Sequence, residues 1–234
     1  MGTDISDIAR KAKEASRNLA ILGSAEKAAV LRRMAGALCD NAEHLKARNA
    51  LDLEKARADG LPAAMLDRLA LTDKVIAGMA QALEEIAELP DPIGTITTMV
   101  RRPNGLMVGR MRIPLGVVAM IYESRPNVTS DAVGLCLKSG NAVILRGGSE
   151  AFHSNQAIVA VLKAELAGSH IDPDLIGFVP VTDRAAIMEM LKLEDSIDLV
   201  IPRGGEGLIR TVAENSRIPV LKHYKGVCHI FVDR

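Results

Sequence analysis

Four things are scarce in this sequence: cysteine, net charge, long apolar runs and standard nucleotide-binding fingerprints. Only three cysteines, Cys39, Cys136 and Cys228, are spread over 234 residues, which argues against a disulfide framework and fits a reducing compartment. Lysine plus arginine (29) equals aspartate plus glutamate (29), so no overall charge favours nucleic acid or an anionic membrane, and any anionic ligand has to be met by local groups. No stretch approaches the ~20 apolar residues of a membrane span, and the opening "MGTDISDIARKAKEAS" is too charged for a signal peptide. A cytoplasmic protein is expected. "GEGLIR" begins like G-x-G-x-x-G but has Arg210 where the third glycine belongs, and no Gly-Lys-Ser/Thr triplet occurs; a nucleotide bound here is bound in a nonstandard way.

The hydrophobic share is 48%, enough for one large domain or two modest ones. Residues 4–89 are rich in Ala, Leu, Lys, Arg and Glu, and Ile5, Ile8, Ala12 and Ala15 fall at helical spacing. Ser24 is expected to cap one helix running through "AEKAAVLRRMAGALCDNAEHLKARNALDLEKARA", with Gly60 and Pro62 as punctuation and Thr72 capping another helix that ends before Pro90. The charged face of this region reads as solvated. From Ile96, "ITTMVRR" and "LMVGRMRI" flank "PNG", a hairpin signal.

After Pro114 come short apolar runs at Val117 to Ile121, Ala142 to Leu145, Ile176 to Val179, Leu199 to Ile201 and Ile218 to Leu221. Helical patterns such as Ala157 to Leu166 and Ala185 to Leu191 alternate with them, so βαβ units and a parallel sheet covered on both faces are expected. The divisions are residues 1–95 (N-terminal helical region), 96–114 (hairpin arm) and 115–234 (α/β core).

In open parallel sheets ligands bind beyond the carboxyl ends of the strands, which gives "LGVVAMIYESRPNVTSD" a meaning: an apolar strand ending in a polar cluster. There Asn127 can donate an amide hydrogen bond and Arg125 can add a charge; an ordinary Pro-containing turn facing water is the bland alternative. The next strand ends "AVILRGGSEAFHSN". Gly147 and its neighbour allow close approach to backbone, the following helix N-terminus suits phosphate, and Arg146 can pair bidentately with a phosphate monoester. "IDLVIPRGGEGLIR" repeats the pattern with Arg203, Gly204 and Gly205; simple turn chemistry remains the alternative for both. Cys228, His229 and His223 suggest a thiol or metal centre, but neighbours on a strand point to opposite faces and no further ligands accompany them, so no metal site is expected and Cys228 reads as structural. Cys39 and Cys136 read as packing residues.

Three blocks, "RIPLGVVAMIYESRPNVTSDAVGLCLKSGNAVILRGGSEAFHSN", "DLVIPRGGEGLI" and "VLKHYKGVCHIFVD", resemble the γ-glutamyl phosphate reductase family of the aldehyde dehydrogenase superfamily, whose cofactor domain is a Rossmann variant without the usual glycine fingerprint. The resemblance implies NADPH-dependent reduction of L-glutamate 5-phosphate to L-glutamate 5-semialdehyde, in proline biosynthesis, through a thioester on a cysteine. It implies that Asn127 supports the oxyanion, that Arg146 meets the 2′-phosphate of NADPH with Ser149 in the same turn, and that Gly204 and Gly205 lie against the pyrophosphate. It places the nucleophilic cysteine in a segment after Arg234, so an N-terminal portion is expected, lacking the catalytic and C-terminal oligomerisation segments. A homo-oligomeric parent and functional coupling to glutamate 5-kinase are further implications. Around Lys222 and His223, where aldehyde-oxidising relatives have a water-activating glutamate, no carboxylate stands. Two alternatives remain: a catalytically inactive nucleotide-binding module, and an aldehyde dehydrogenase of another substrate.

Overall fold

The computed structural model describes residues 4–223 and 231–232; Cys228 and His229 lie outside the described residues. The N-terminal region forms α1 (Ile5–Leu19), α2 (Ser24–Asp40), α3 (Ala42–Ala58), α4 (Ala63–Leu69) and α5 (Asp73–Glu88). In α1, Asp4 caps by accepting from Asp7 N–H at 3.1 Å, and Ile5, Ala9, Ala12 and Leu19 form the buried stripe. Thr72 caps α5 as expected, accepting from Val75 N–H at 3.3 Å.

The single long helix expected after Ser24 is instead two. Gly23 is the true N-cap, its N–H donating to Glu26 Oε2 at 2.9 Å. The helix breaks at Asn41, whose backbone leaves the helical region and whose side chain donates to the Ala37 carbonyl at 2.8 Å, because an asparagine can satisfy the last carbonyls itself. Cys39, expected in the packing, is exposed: Leu31, Met34, Ala35 and Leu38 take the core side of α2.

The hairpin is present as β1 (Ile96–Arg101) and β2 (Met107–Met111), antiparallel. Its turn runs Pro103, Asn104 and Gly105, with Gly105 at φ 87° and its N–H donating to the Arg102 carbonyl at 2.9 Å. Every residue of both strands is exposed.

The main sheet holds β3 (Val117–Tyr122), β4 (Ala142–Arg146), β5 (Ile176–Phe178) and β6 (Leu199–Arg203), all parallel, in the order β5-β4-β3-β6. Helices α6 (Asn127–Lys138), α7 (Phe152–Gly168), α8 (Arg184–Met190) and α9 (Glu206–Asn215) connect or follow the strands. The expected α/β fold is therefore present: N-terminal helices, a hairpin, then a parallel sheet. The strand expected at Ile218 to Leu221 is reduced to one bridge, Val220 beside Val200, flanked by Pro219, which has no N–H to give a ladder.

One apolar cluster runs from Ile5 of α1 through Leu83 of α5 and the sheet to Ile218. Not all of the charged helical face is solvated. Asp52 of α3 is 2% exposed and caps α7, accepting from His153 N–H at 3.1 Å, Ser154 N–H at 2.7 Å and Ser154 Oγ at 2.6 Å. Beside it, buried Asn49 donates to Ser154 Oγ at 3.0 Å and to the Leu69 carbonyl at 2.9 Å. Asp52→Ala strands these donors and is expected to lower the unfolding free energy by about 1.5–3 kcal/mol, read from urea midpoints at constant slope; a change within about 0.5 kcal/mol would mean that water replaces the carboxylate.

Candidate functional site

From β3 the chain steps to β4 and β5 on one side, then returns to β6 on the other side of β3. The loops after β3 and β6 therefore diverge, which is where a parallel sheet opens a ligand crevice. A cleft of about 820 Å³ lies there, lined from four directions: Tyr122, Glu123 and Ser124 after β3, Arg146, Gly148, Ser149 and Glu150 after β4, Gly207, Leu208 and Thr211 of α9, and Lys55 of α3. Thr182 and Arg184, at the start of α8, complete it.

Arg146 ends β4 and is 8% exposed. Its Nη2 donates to the Thr182 carbonyl at 2.7 Å, while its Nε is buried without a hydrogen-bond partner. Burial is the largest cause that pulls its pKa below the ordinary arginine value, Arg184 adds to this, and Glu150 and Asp183 oppose it; a guanidinium stays protonated at neutral pH regardless. Ser149 is exposed and opens a 3-10 turn, Ser149–Ala151, at the cleft wall. Gly147 packs on the Asn155 amide so closely that a side-chain carbon there would collide with Nδ2. Beneath it a buried chain runs from Tyr122 OH to Thr129 Oγ1 at 2.7 Å and from Thr129 Oγ1 to Asn155 Oδ1 at 3.0 Å. Thr129 gives its single proton to Asn155, so Tyr122 is the donor in the first link; burial raises the phenol's pKa and keeps it protonated.

Gly204 and Gly205 carry β6 into α9 but do not line the cleft themselves. Gly205 N–H donates to Glu123 Oε2 at 2.9 Å, and a side-chain carbon at Gly204 would stand 2.5 Å from that oxygen. The α7 N-terminus, expected to suit phosphate, is occupied too: its first N–H groups are satisfied by Asp52. The side chains around the cleft that could meet an anion are Arg146, Lys55, Arg184 and Ser149, beside the α9 N-terminus at Gly207 and Leu208.

Asn127, the first residue of α6, is not in this cleft. It lines a separate hollow of about 400 Å³ with Asp67, Arg68, Arg125, Pro126 and Asp131, on the far side of the β3–α6 loop. Its Nδ2 donates to Asp131 Oδ2 at 3.4 Å. Ser124 in that loop has φ 39°, a left-handed backbone that costs a non-glycine residue roughly 1–2 kcal/mol. The compensation comes from Glu150 Oε1, which accepts from Ser124 N–H at 2.6 Å and from Ser124 Oγ at 2.8 Å.

The aldehyde dehydrogenase family profile matches residues 2–225. The chain belongs to that family. Its relatives include γ-glutamyl phosphate reductase of Citrifermentans bemidjiense, 59% identical over 229 residues, covering 98% of this chain and 55% of the relative. The crystal structure of γ-glutamyl phosphate reductase from Thermotoga maritima superposes with a TM-score of 0.92 at 40% identity, covering 94% of this chain and 53% of that one. The Saccharomyces cerevisiae enzyme of the same name gives 0.87 at 30% identity, covering 97% and 57%. The resemblance carried by the three sequence blocks is borne out, and the chain spans about half the length of the curated relatives it matches.

In this family member the sequence-derived Arg146 and Ser149 do meet in one cleft, whereas Asn127 faces another hollow. Lys55, Thr182, Arg184, Glu123 and Glu150 were not singled out as site residues. Lys55 looked like part of a solvated helix face, and the two glutamates carry no motif of their own. Among the described residues no group of His, Cys, Asp and Glu converges as a metal site. Cys136 is buried, with its thiol pushed up to about 12 by burial.

Asp131 generates a pH test. Burial raises its carboxyl above the ordinary aspartate value, and the Asn127 hydrogen bond opposes this. A raised carboxyl stabilises the fold fully below the unfolded pKa and loses that contribution as pH rises through the folded one. Asp131→Asn is expected to raise Tm at pH 7 and to converge on the parent near pH 3 (below about 3.9, the unperturbed value). A lower Tm at pH 7 would show that the bond to Asn127 outweighs the burial of the charge.

Proposed function

We propose that this chain is the dinucleotide-binding part of an NADPH-dependent reductase that converts L-glutamate 5-phosphate to L-glutamate 5-semialdehyde and phosphate, a step toward proline. The observation that carries this reading is the 59% identity to a relative named γ-glutamyl phosphate reductase over 98% of the chain. The cleft residues fit the cofactor: Arg146 keeps a buried Nε without a partner, with Lys55, Arg184 and Ser149 around the same hollow. When bound, the nicotinamide supplies a hydride. Arg146, braced by the Thr182 carbonyl, would hold the 2′-phosphate by charge-assisted hydrogen bonds. Gly204 and Gly205 would admit the pyrophosphate once Glu123 withdraws from the Gly205 N–H.

Asn127 is assigned to the oxyanion, where a fixed amide donor stabilises developing negative charge. The nucleophilic thiol is assigned to a segment outside these residues. The described cysteines do not suit: Cys136 would have to ionise from about 12, and Cys39 lies on α2, away from the cleft. A homo-oligomeric parent suits the hairpin, whose Met99, Val100, Met107 and Met111 are exposed. Among the described residues no helix is long and apolar enough to cross a membrane, in keeping with a cytoplasmic location. Coupling to a glutamate 5-kinase completes the proposed setting. The second reading is a module that binds the dinucleotide without turnover.

Calorimetric titration of NADPH and NADH, with an assay of glutamate-semialdehyde dehydrogenation in phosphate, separates these. Selective NADPH binding without turnover is expected, and turnover abolished by Cys228→Ser would relocate the nucleophile. Arg146→Ala is expected to weaken NADPH at least about tenfold more than NADH, about 1.4 kcal/mol; equal losses would remove the 2′-phosphate assignment.

A further inference from the structure

The β3–α6 loop is the wall between two hollows. Tyr122, Glu123 and Ser124 face the cleft, whereas Arg125, Pro126 and Asn127 face the smaller hollow. The bend that turns the chain from one to the other is Ser124, at φ 39°. Nothing in its own side chain favours that conformation, since serine lacks glycine's freedom there. Glu150 imposes it. One carboxylate oxygen accepts from both the N–H and the Oγ of Ser124, at 2.6 and 2.8 Å. Glu150 belongs to the 3-10 turn that begins with Ser149, so the clamp joins the turn after β4 to the loop after β3. Gly148 makes room for it: a side-chain carbon there would collide with the Glu150 carboxylate. Within the loop, Arg125 N–H closes onto the Glu123 carbonyl at 2.6 Å, and Val128 N–H onto the Arg125 carbonyl at 3.1 Å, so Ser124 and the start of α6 are linked by short backbone bonds.

We propose that Glu150 is a positioning residue: by holding Ser124 it sets where Asn127 stands, and it carries a change at Ser149 in the cleft to Asn127 across the wall. This rests on the reading of Asn127 and of the cleft given above. The clamp is a hydrogen-bond acceptor rather than a charge pair, so glutamine can replace it and alanine cannot.

The test uses the whole 234-residue chain with Glu150→Ala and Glu150→Gln; Glu150→Asp, whose carboxylate is one methylene short of Ser124, stands in should the alanine variant not fold. Without ligand, Glu150→Ala is expected to speed amide exchange at Ser124 at least tenfold and to move the Asn127 side-chain amide resonance, identified by its loss in Asn127→Ala. Glu150→Gln is expected to keep both near the parent. An unchanged Asn127 resonance in the alanine variant overturns the proposal, as does a glutamine variant that behaves like alanine. With NADPH added to saturation, the parent's Asn127 resonance is expected to move, and in Glu150→Ala that movement is lost; a full movement in the alanine variant overturns the coupling. A parent chain that binds no dinucleotide defeats the cofactor reading alone, because the ligand-free comparison decides the clamp.

Discussion

Parallel pairing of β3 with both β4 and β6 is the constraint on which the site depends. Ile121 stands beside Arg146 and Tyr122 beside Arg203, so three strand ends arrive at one edge at nearly the same height. Parallel strands leave their connections no short route back, and each returning helix must begin at that edge. The cleft is the consequence: its walls include the first residues after β3 and β4 and the start of α9, beyond three strands whose register is held by buried Val117, Val118, Val143, Ile144 and Val200. Both faces of β3 and β4 are buried, so a one-residue slip would exchange the side chains of two packed layers, which is why such an edge can hold side chains in place.

Carboxylates already occupy positions where this edge could have offered bare N–H groups. Asp52 takes the start of α7, Glu123 takes Gly205 at the start of α9, and Glu150 takes Ser124. Each removes an unsatisfied donor, and buried donors left unpaired are costly. Arg146 is the most constrained of the cations around the cleft, fixed at the end of a buried strand and held by the Thr182 carbonyl.

The elements were largely legible because apolar period distinguishes helix from strand. β3, β4 and β6 appear within two residues of the apolar runs that announce them, and the turn at Pro103 to Gly105 follows from its residues. The misses divide by cause. The exposure of Cys39 and the burial of Asp52 depend on what packs alongside, and period carries no such information; the break at Asn41 is made locally, by its side chain on the Ala37 carbonyl. The strand expected near Val220 shrank to a bridge for a local reason, Pro219, that apolar count overlooks.

Sequence alone was enough to determine the α/β class, the family, and the candidacy of Arg146 and Ser149, because strand ends followed by glycines mark ligand-facing edges whatever surrounds them. Tertiary structure decided which of those junctions share a space. Lys55 reaches the cleft from more than ninety positions before Ser149, and Asn127, only nineteen positions before Arg146, faces a different hollow. The physical reason is that a loop's direction is set by the groups that hold it, here a carboxylate from the next strand's turn bonded to Ser124, and such partners are neighbours in space rather than along the chain.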